Sequence, residues 1–569
     1  MSHGMHAADR TGPEQSNQRL LALLVSLVTL TAFAGLFVLR SLDDNRLTSW
    51  QWAFGSADVV WVFPALAVGI VLAYAVSRIS VPVRWLAPVL FVSSFMAAAL
   101  LWGAPEVIVD TARYFVQAKY LELYGVGFFL REWGGEITTW TDLPLVPFLH
   151  GLVFTLFGEA RIAVQVFTTF LFSGTVVVTW LIGRTLWDDT VGGVAGALLL
   201  AMPYLLTQPA LMLVDVPAMF FLTLAVFTTI KAVRDGDARF LVAAPAAITL
   251  AMLSKYSVWL MLSVIPVIVL VHFDRDWQSV LKRAAVIGLA TILLAGAVGL
   301  MKFDVVAAQL KLLWSYQWPG LARWEESHVS TFLFQVHPFV TAAALCSVAV
   351  ALARRDSRYA IVAWMLLLVV ALGVKRARYI LITLPMLALM AGYALREIAD
   401  GRMRRFVVSC AVVSALVTAV FGFLPLLKGM SAANLMAAGE RLDAMEVDRV
   451  EVFTLPQERS IVNPAVLVPI LDLYTGKRIV YRDGALTPPA PRTIATSPLR
   501  FTWEFATPSY YAAGRSEPGD AIAVIASHAD QALPDRIGTR IAGMRLSGAF
   551  AVPDRIFRFK TFVRVYHPP

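Results

Sequence analysis

Apolar residues dominate the chain in long blocks, and polar residues gather in short breaks between them. The blocks fall at 18–40, 57–78, 82–104, 160–186, 190–207, 211–232, 239–253, 256–272, 283–301, 333–353, 358–374, 378–396 and 405–426. A helix needs about 20 apolar residues to cross about 30 Å of hydrocarbon. The blocks therefore predict a polytopic α-helical membrane protein with about thirteen transmembrane helices over 18–426. One break, Ser254-Lys255-Tyr256-Ser257, follows a short block. It is expected to be a turn or an unwound end, which membranes tolerate only where backbone lines a polar cavity or is buried in protein. Residues 1–17 are polar and are expected to form a disordered cytoplasmic tail. The block after them lacks a small-residue cleavage site and reads as a retained first helix.

From residue 427 the pattern shortens. Val450 to Phe453 and Lys477 to Tyr481 read as strands around a helical Val462 to Tyr474, and later strands are expected at Ala521 to Ala526 and Phe559 to Tyr566. This predicts a small soluble α/β or α+β domain over 427–569, on the extracytoplasmic side after an odd number of crossings. Its strand–helix–strand start carries no glycine-rich phosphate loop, so nucleotide binding there has little support.

Composition agrees with the hydropathy pattern: 58% of residues are hydrophobic, 15% are charged, and the mean hydropathy is +0.69. The net charge of +9 is distributed as a topology signal. With residue 1 inside, basic residues recur in the cytoplasmic breaks, at Arg78/Arg84, Arg184, Lys231/Arg234/Arg239, Arg275/Lys282/Arg283, Arg354/Arg355/Arg358 and Arg396 to Arg405. That is the positive-inside pattern and not a nucleic-acid surface. Cys346 and Cys410 both fall within apolar blocks and read as packing residues.

This topology places a large loop, 105–159, outside, with an amphipathic stretch from Arg113 to Leu121 that fits a helix lying along the interface. Asp110 opens that loop, and Asp215 stands at the head of an apolar block near the same face. Ionisable groups at such depths are expensive and are functional candidates. Lys255 and the cluster Lys375-Arg376-Ala377-Arg378-Tyr379 also fall outside, against the positive-inside pattern. An anionic ligand such as a lipid-linked phosphate would explain them, through bidentate Arg bonds and the Lys point charge. Headgroup anchoring and structural ion pairs are the plainer readings. Other residues are weaker candidates: Glu106, Tyr114, the isolated His150 and His337, the aromatic stretch 314–320, and Glu325-Glu326-Ser327-His328, which has only a loosely metal-like composition.

Over roughly residues 100–400 the chain resembles the bacterial members of the protein-mannosyltransferase-like superfamily, membrane glycosyltransferases of the GT-C type that include the lipid A aminoarabinose transferases. The resemblance rests on an ordered series. It begins with Asp110-Thr111-Ala112-Arg113-Tyr114 and the tract from Thr139 through Pro144-Leu145-Val146-Pro147 to Gly158. Arg161, Ile182 to Leu186, and Leu211 to Phe221 around Asp215 follow. Ser254-Lys255-Tyr256 and then Lys375 to Tyr379, with Pro385 after them, complete it. Two features depart from the commonest pattern: two extra spans precede the helix leading to Asp110, and Glu106 stands four residues from Asp110 and not beside it.

The resemblance implies transfer of a sugar from a polyprenyl-phosphate donor to a hydroxyl of a lipid, glycan or protein, with inversion at the anomeric carbon. It implies Asp110 as the base or the group orienting the acceptor, with Asp215 as a second site acid. Asp215 would hold a basic group, bind sugar hydroxyls or take the proton itself, with a structural cap or ion pair as its plainer reading. Lys255, Lys375, Arg376 and Arg378 would hold the donor phosphate, and Glu106, Tyr114 and Tyr379 would line the substrate. No obligatory cofactor is expected, although a divalent metal stays open, and the expected state is a monomer among membrane lipids. Membrane acids and bases would also suit a transporter or flippase for a polyprenyl-linked glycan, but no inverted repeat is evident. An assembly protein whose outer domain binds wall material is a third reading, and it leaves the outer basic clusters unexplained.

Overall fold

A computed structural model describes residues 11–569 apart from 56, 274–275, 319–325, 458–460, 483–487, 498, 513–518, 555 and 558. Each apolar block forms helix, but the blocks are unequal. Among the described residues, seven helices are long and apolar enough to cross a membrane, and an eighth span arises if the pair His328–Val336 and Pro338–Arg354, bent by 119°, counts as one. The remaining blocks make shorter helices such as Val83–Ala99, Asp189–Leu199, Ala238–Ser254 and Tyr359–Ala371. The reason is local. Asp189–Leu199 stops before Pro203, which opens a separate short helix, and the block at 256–272 divides into Tyr256–Met261 and Val264–Val271. Exposed apolar side chains cover the outer faces, for example Leu289, Ile292 and Leu293 on the helix Trp277–Met301, as a lipid-facing surface requires. The chain is thus a multi-pass α-helical membrane protein with a small C-terminal β-containing region.

Two expectations are corrected. The first helix begins at Thr11, inside the tail expected to be disordered, because the apolar run of the first span propagates the helix backwards. The stretch from Arg113 to Leu121 belongs to the helix Ile108–Glu132, broken at Gly125 (φ 81°), and it does not lie open on the interface. Its first half is buried on all sides. One side packs on the helix Leu145–Phe157, so closely that a Cβ on Gly151 would come within 2.8 Å of the Ala118 carbonyl. Phe115, Ala118 and Leu121 also share one core with Leu467, Ile470 and Leu471 of the C-terminal region.

That region contains a five-stranded sheet in the order β2-β1-β3-β5-β4. The strands are β1 (Arg449–Thr454), β2 (Arg478–Tyr481), β3 (Ala521–Ala526), β4 (Arg545–Phe550) and β5 (Phe562–His567). β1 pairs in parallel with β2 and β3, while β5 runs antiparallel to β3 and β4. The helix Val468–Leu473 lies between β1 and β2 in the chain, within the stretch expected to be helical, and makes the connection that a parallel pair needs. β3 is buried along its whole length, as a central strand should be. β4 escapes the sequence reading because Arg545-Leu546-Ser547-Gly548 has no fully buried position and carries a register shift at Leu546/Gly548.

Candidate functional site

Asp215 is the first residue of the helix Asp215–Asp235, where unpaired backbone N–H groups favour a carboxylate. It is fully buried, so it requires counter-charges. Lys255 supplies one from an extended link (φ −163°, ψ 138°) between Ala238–Ser254 and Tyr256–Met261, the unwound break expected there. Its Nζ donates to Asp215 Oδ1 at 2.6 Å. Arg378, in the short helix Ala377–Ile380, supplies the other, its Nε donating to Asp215 Oδ2 at 2.9 Å.

The same guanidinium reaches Asp110 through Nη1. Asp110 lies in the first turn of Ile108–Glu132, and its Oδ1 accepts from Arg113 Nη2 at 3.2 Å, one helical turn on. Arg113 Nη2 also donates to Asp142 Oδ1 at 3.1 Å, and Gln117 Nε2 donates to Asp142 Oδ2 at 3.1 Å. Three cations and three carboxylates therefore alternate in one string: Lys255, Asp215, Arg378, Asp110, Arg113, Asp142. Burial pushes the Asp110 carboxyl up, but the guanidiniums of Arg378 and Arg113 outweigh it and hold Asp110 below the usual carboxylate range. At Asp142 burial prevails over Arg113, and that carboxyl is raised.

The string borders a cavity of about 1870 Å³. Asp110, Arg113, Asp142, Lys255, Arg376 and Arg378 line its polar part. Leu260, Met261, Leu313, Val369 and Leu372 give it apolar walls, and Leu499, Phe501 and Phe557 enter from the C-terminal region. Trp140 sits at the border with a left-handed backbone (φ 38°), an unfavourable conformation for a bulky residue, and the Arg113 guanidinium lies 4.8 Å from its ring centre.

The sequence candidates separate clearly in space. Tyr379 lines the cavity with the Lys255 ammonium and the Arg376 guanidinium 5.5 and 5.4 Å from its ring centre. Tyr114 is buried beside Arg113 and reaches the cavity wall. Lys375 is exposed and absent from that wall, although its carbonyl accepts from Thr331 Oγ1 at 2.8 Å. Glu106 borders the cavity, but its carboxylate is committed elsewhere. Oε1 accepts from Arg161 Nε at 2.8 Å, and Oε2 accepts from Met212 N at 2.9 Å and Thr111 Oγ1 at 3.2 Å. It fastens the start of Ile108–Glu132 to two neighbouring segments.

His150 is buried without a hydrogen bond to either ring nitrogen, edge-on to Phe167. His337 caps the helix Pro338–Arg354, its Nδ1 accepting from Phe339 N at 3.1 Å, and its Nε2 pairs with Ser414 Oγ at 2.7 Å. In the aromatic stretch Trp318 lines the cavity and stacks with the exposed Trp314 at 6.1 Å, while 319–320 lie outside the described residues. Glu325 also lies outside them, whereas Glu326 is buried at the cavity wall. Among the described residues, no group of three or more His, Cys, Asp or Glu is placed to hold a metal ion.

Sequence reasoning did not single out Arg113, Gln117 or Asp142. Arg113 carried a usable signal, three residues after Asp110 on a helix. Asp142 carried none, since its partner is 29 residues away and only the folded loop joins them.

A family profile described as "Dolichyl-phosphate-mannose-protein mannosyltransferase" matches residues 142–301, which hold Asp142, Asp215 and Lys255 but neither Asp110 nor Arg378. No curated protein matches the chain. Among solved structures, the fold is similar to ArnT from Cupriavidus metallidurans bound to undecaprenyl phosphate. The TM-score is 0.53 at 14% identity, over 84% of this chain and 97% of that one. Against the same protein in the apo state the TM-score is 0.52, with the same identity and coverage. The chain therefore shares the fold of that ArnT structure, and the mannosyltransferase profile covers the middle part of the charged string.

Proposed function

We propose that the chain transfers a sugar from a polyprenyl-phosphate donor to a hydroxyl acceptor at the outer face of the cytoplasmic membrane. One observation carries the reading: a cavity large enough for both substrates has apolar walls for a lipid chain and a charged floor for a phosphate. The likeness to a protein bound to undecaprenyl phosphate supports the donor class. The charge pattern supports about thirteen crossings, a cytoplasmic N-terminus, and an extracytoplasmic domain over 427–569.

In this reading Lys255, Arg376 and Arg378 receive the phosphate, where fixed cations in a dry cleft stabilise the charge that grows on the leaving group. Lys375 would help only from outside the cavity wall, by long-range attraction. Arg378 has a dual position: a phosphate that takes its Nη1 releases Asp110 from its strongest partner. Asp110 then becomes a better proton acceptor when the donor is in place. The acceptor oxygen attacks the anomeric carbon, the bond from that carbon to the phosphate oxygen breaks, Asp110 takes the hydroxyl proton, and polyprenyl phosphate leaves. Direct displacement inverts the anomeric centre. Asp215 holds Lys255 and Arg378 in place, and Tyr379 and Tyr114 present ring faces to the sugar. Glu106 serves the substrate indirectly, by fixing the helix that carries Asp110.

We assign the step no obligatory cofactor because the three cations supply the needed charge; loss of turnover on chelation would overturn that assignment. The central test compares release of lipid phosphate from candidate polyprenyl-phosphate sugars by wild type, Asp110→Asn and Arg378→Ala. Unchanged release in both folded variants would refute the assignment. Movement of lipid across the bilayer without bond cleavage would instead indicate a transporter.

A further inference from the structure

The two N-terminal helices that set this chain apart from the commonest pattern, Asn17–Leu42 and Val59–Val76, are joined by a link that reaches the candidate site. Asn45, Arg46, Leu47 and Thr48 of that link line the large cavity. Its anchor is Asp43, a carboxylate only 3% exposed. Asn45 N donates to Asp43 Oδ1 at 3.1 Å and Trp50 N to Oδ2 at 2.7 Å, which folds the link on itself. Two further donors come from 287 and 292 residues away: Ser330 Oγ reaches Oδ1 at 2.6 Å, and Gln335 Nε2 reaches Oδ2 at 3.0 Å. The neighbouring Asp44 accepts from Ser327 N at 3.0 Å. The link therefore grips the segment His328–Val336 by two buried side chains.

That segment in turn holds the backbone leading into the basic motif. Arg376 stands in extended conformation (φ −68°, ψ 124°) after Gly373 (φ 64°), and the helix beyond it, Ala377–Ile380, has only four residues. So short an element does not fix its own course, and the carbonyls before it have no helix or sheet ladder to join. Side chains supply the donors. His328 Nε2 donates to the Val374 carbonyl at 2.9 Å, and Thr331 Oγ1 donates to the Lys375 carbonyl at 2.8 Å. Two successive carbonyls are thus held by residues three apart on one helical segment. Arg378 follows three residues later and spans Asp110 and Asp215 with one guanidinium, a task that tolerates little displacement. His328, in the sequence only part of a loosely metal-like group, has this duty instead.

We propose that Asp43 is a positioning residue for the donor-phosphate arginines. It acts through Ser330 and Gln335 on the segment His328–Val336, and through His328 and Thr331 on the turn that carries Arg376 and Arg378. This rests on the sugar-transfer reading, in which those arginines receive the phosphate. Asp43 itself is absent from the cavity wall and works only through these contacts. The N-terminal helices are then a buttress for the phosphate end of the site, which gives a purpose to their presence in this chain.

The test titrates undecaprenyl phosphate into the purified full-length protein by calorimetry, which reads the dissociation constant and the number of sites separately. Asp43→Asn keeps the shape but puts a donor where an acceptor is needed, and should weaken binding about tenfold. Thr331→Val is nearly isosteric, spares the buried carboxylate and removes only the bond to the Lys375 carbonyl; it should cost about threefold. The double variant should lose less than the product of the two, because both act in series. A merely structural role would reduce the number of sites and leave the dissociation constant alone. Wild-type affinity in both folded variants, or losses that multiply, would overturn the proposal. If wild type binds no undecaprenyl phosphate, the donor reading fails instead, and hydrogen exchange judges the relay. Faster exchange over 376–380 in Asp43→Asn, with β3 unchanged, upholds it, and equal exchange refutes it.

Discussion

Two buried ionic clusters, one rich in arginine and one without it, behave differently. At the large cavity, Lys255, Asp215, Arg378, Asp110, Arg113 and Asp142 alternate in sign, and Asp110, between two arginines, is held below the ordinary range. Six residues beyond Arg113 on the same helix, Lys119 donates to Glu159 at 3.0 Å and to Asp472 at 2.6 Å, joining the outer loop to the C-terminal region. There a single ammonium serves two carboxylates, with Glu122 a further acid nearby. Burial, followed by repulsion from Asp472, outweighs Lys119 and pushes the Glu159 carboxyl up to about 9. Burial works against the Lys119 charge, but Asp472 and Glu159 raise its ammonium above the ordinary lysine range. Both clusters are well buried, so burial alone does not decide protonation. The number of cations beside each carboxylate matters as well: two guanidiniums at Asp110, but one shared cation at Asp142 and at Glu159.

Breaking the first cluster should have the largest effect. Arg378→Ala leaves Asp215 and Asp110 short of a counter-charge, and should lower stability by about 3–5 kcal/mol. It should also cut lipid-phosphate release by about a thousandfold or more. Thermal melting in detergent and single-turnover release measure the two separately, and Arg378→Lys should recover more of the stability than of the rate because it lacks the fork that spans both acids. Asp110→Asn is the next largest, a loss of about 100-fold in turnover with a smaller drop in melting temperature than Arg378→Ala, since Asp142 and Asp215 still partner the two arginines.

Lys119→Met should cost less than the loss of Arg378, about 2 kcal/mol, because Glu159 can answer the missing charge by keeping its proton. An equal or larger loss of melting temperature would show that the two clusters are not distinguished by stoichiometry. The pH dependence sharpens the same point. Glu159 binds its proton more tightly in the folded chain than its ordinary value of 4.5 implies. Its contribution is complete below that value and is lost as pH rises toward about 9. Glu159→Gln should therefore flatten the decline of melting temperature across this window. Asp110 has the opposite sign: its depressed value keeps it ionised, so its ion pairs persist as pH falls and weaken only below the ordinary carboxylate range. Melting of Asp110→Asn relative to wild type should accordingly be flat between about pH 5 and 7.

The smallest effect separates neighbours in one motif. Arg376→Ala, at the cavity wall, should slow release about tenfold, while Lys375→Ala, outside that wall, should change it less than about twofold. Equal effects would mean that the cluster acts as a diffuse field and not through individual contacts.

Much of this was legible in the sequence. The apolar blocks announced the helices, and the succession of strand, helix and strand from Val450 to Tyr481 was readable from local pattern. Asp110, Asp215, Lys255 and Arg378 stood out because charge at membrane depth is costly enough to be conspicuous. The departures were failures of locality. The stretch from Arg113 to Leu121 looked amphipathic enough for an interface, but the C-terminal region covers its other side with Leu467, Ile470 and Leu471. Glu106 borders the cavity, and its oxygens are bonded to Arg161, Thr111 and Met212, two of which no local pattern announces.

The sequence by itself determined which residues carry charge into an apolar environment and the spacing that makes each segment helical, since hydropathy and helix periodicity act over a few turns. Only the tertiary structure decided who pairs with whom. Arg378 meets Asp215 across 163 residues and Asp110 across 268, and Lys119 meets Asp472 across 353. No local rule reaches over such distances. Pairing is settled when packing brings helix ends into contact, and that contact is also what sets the charge each acid bears.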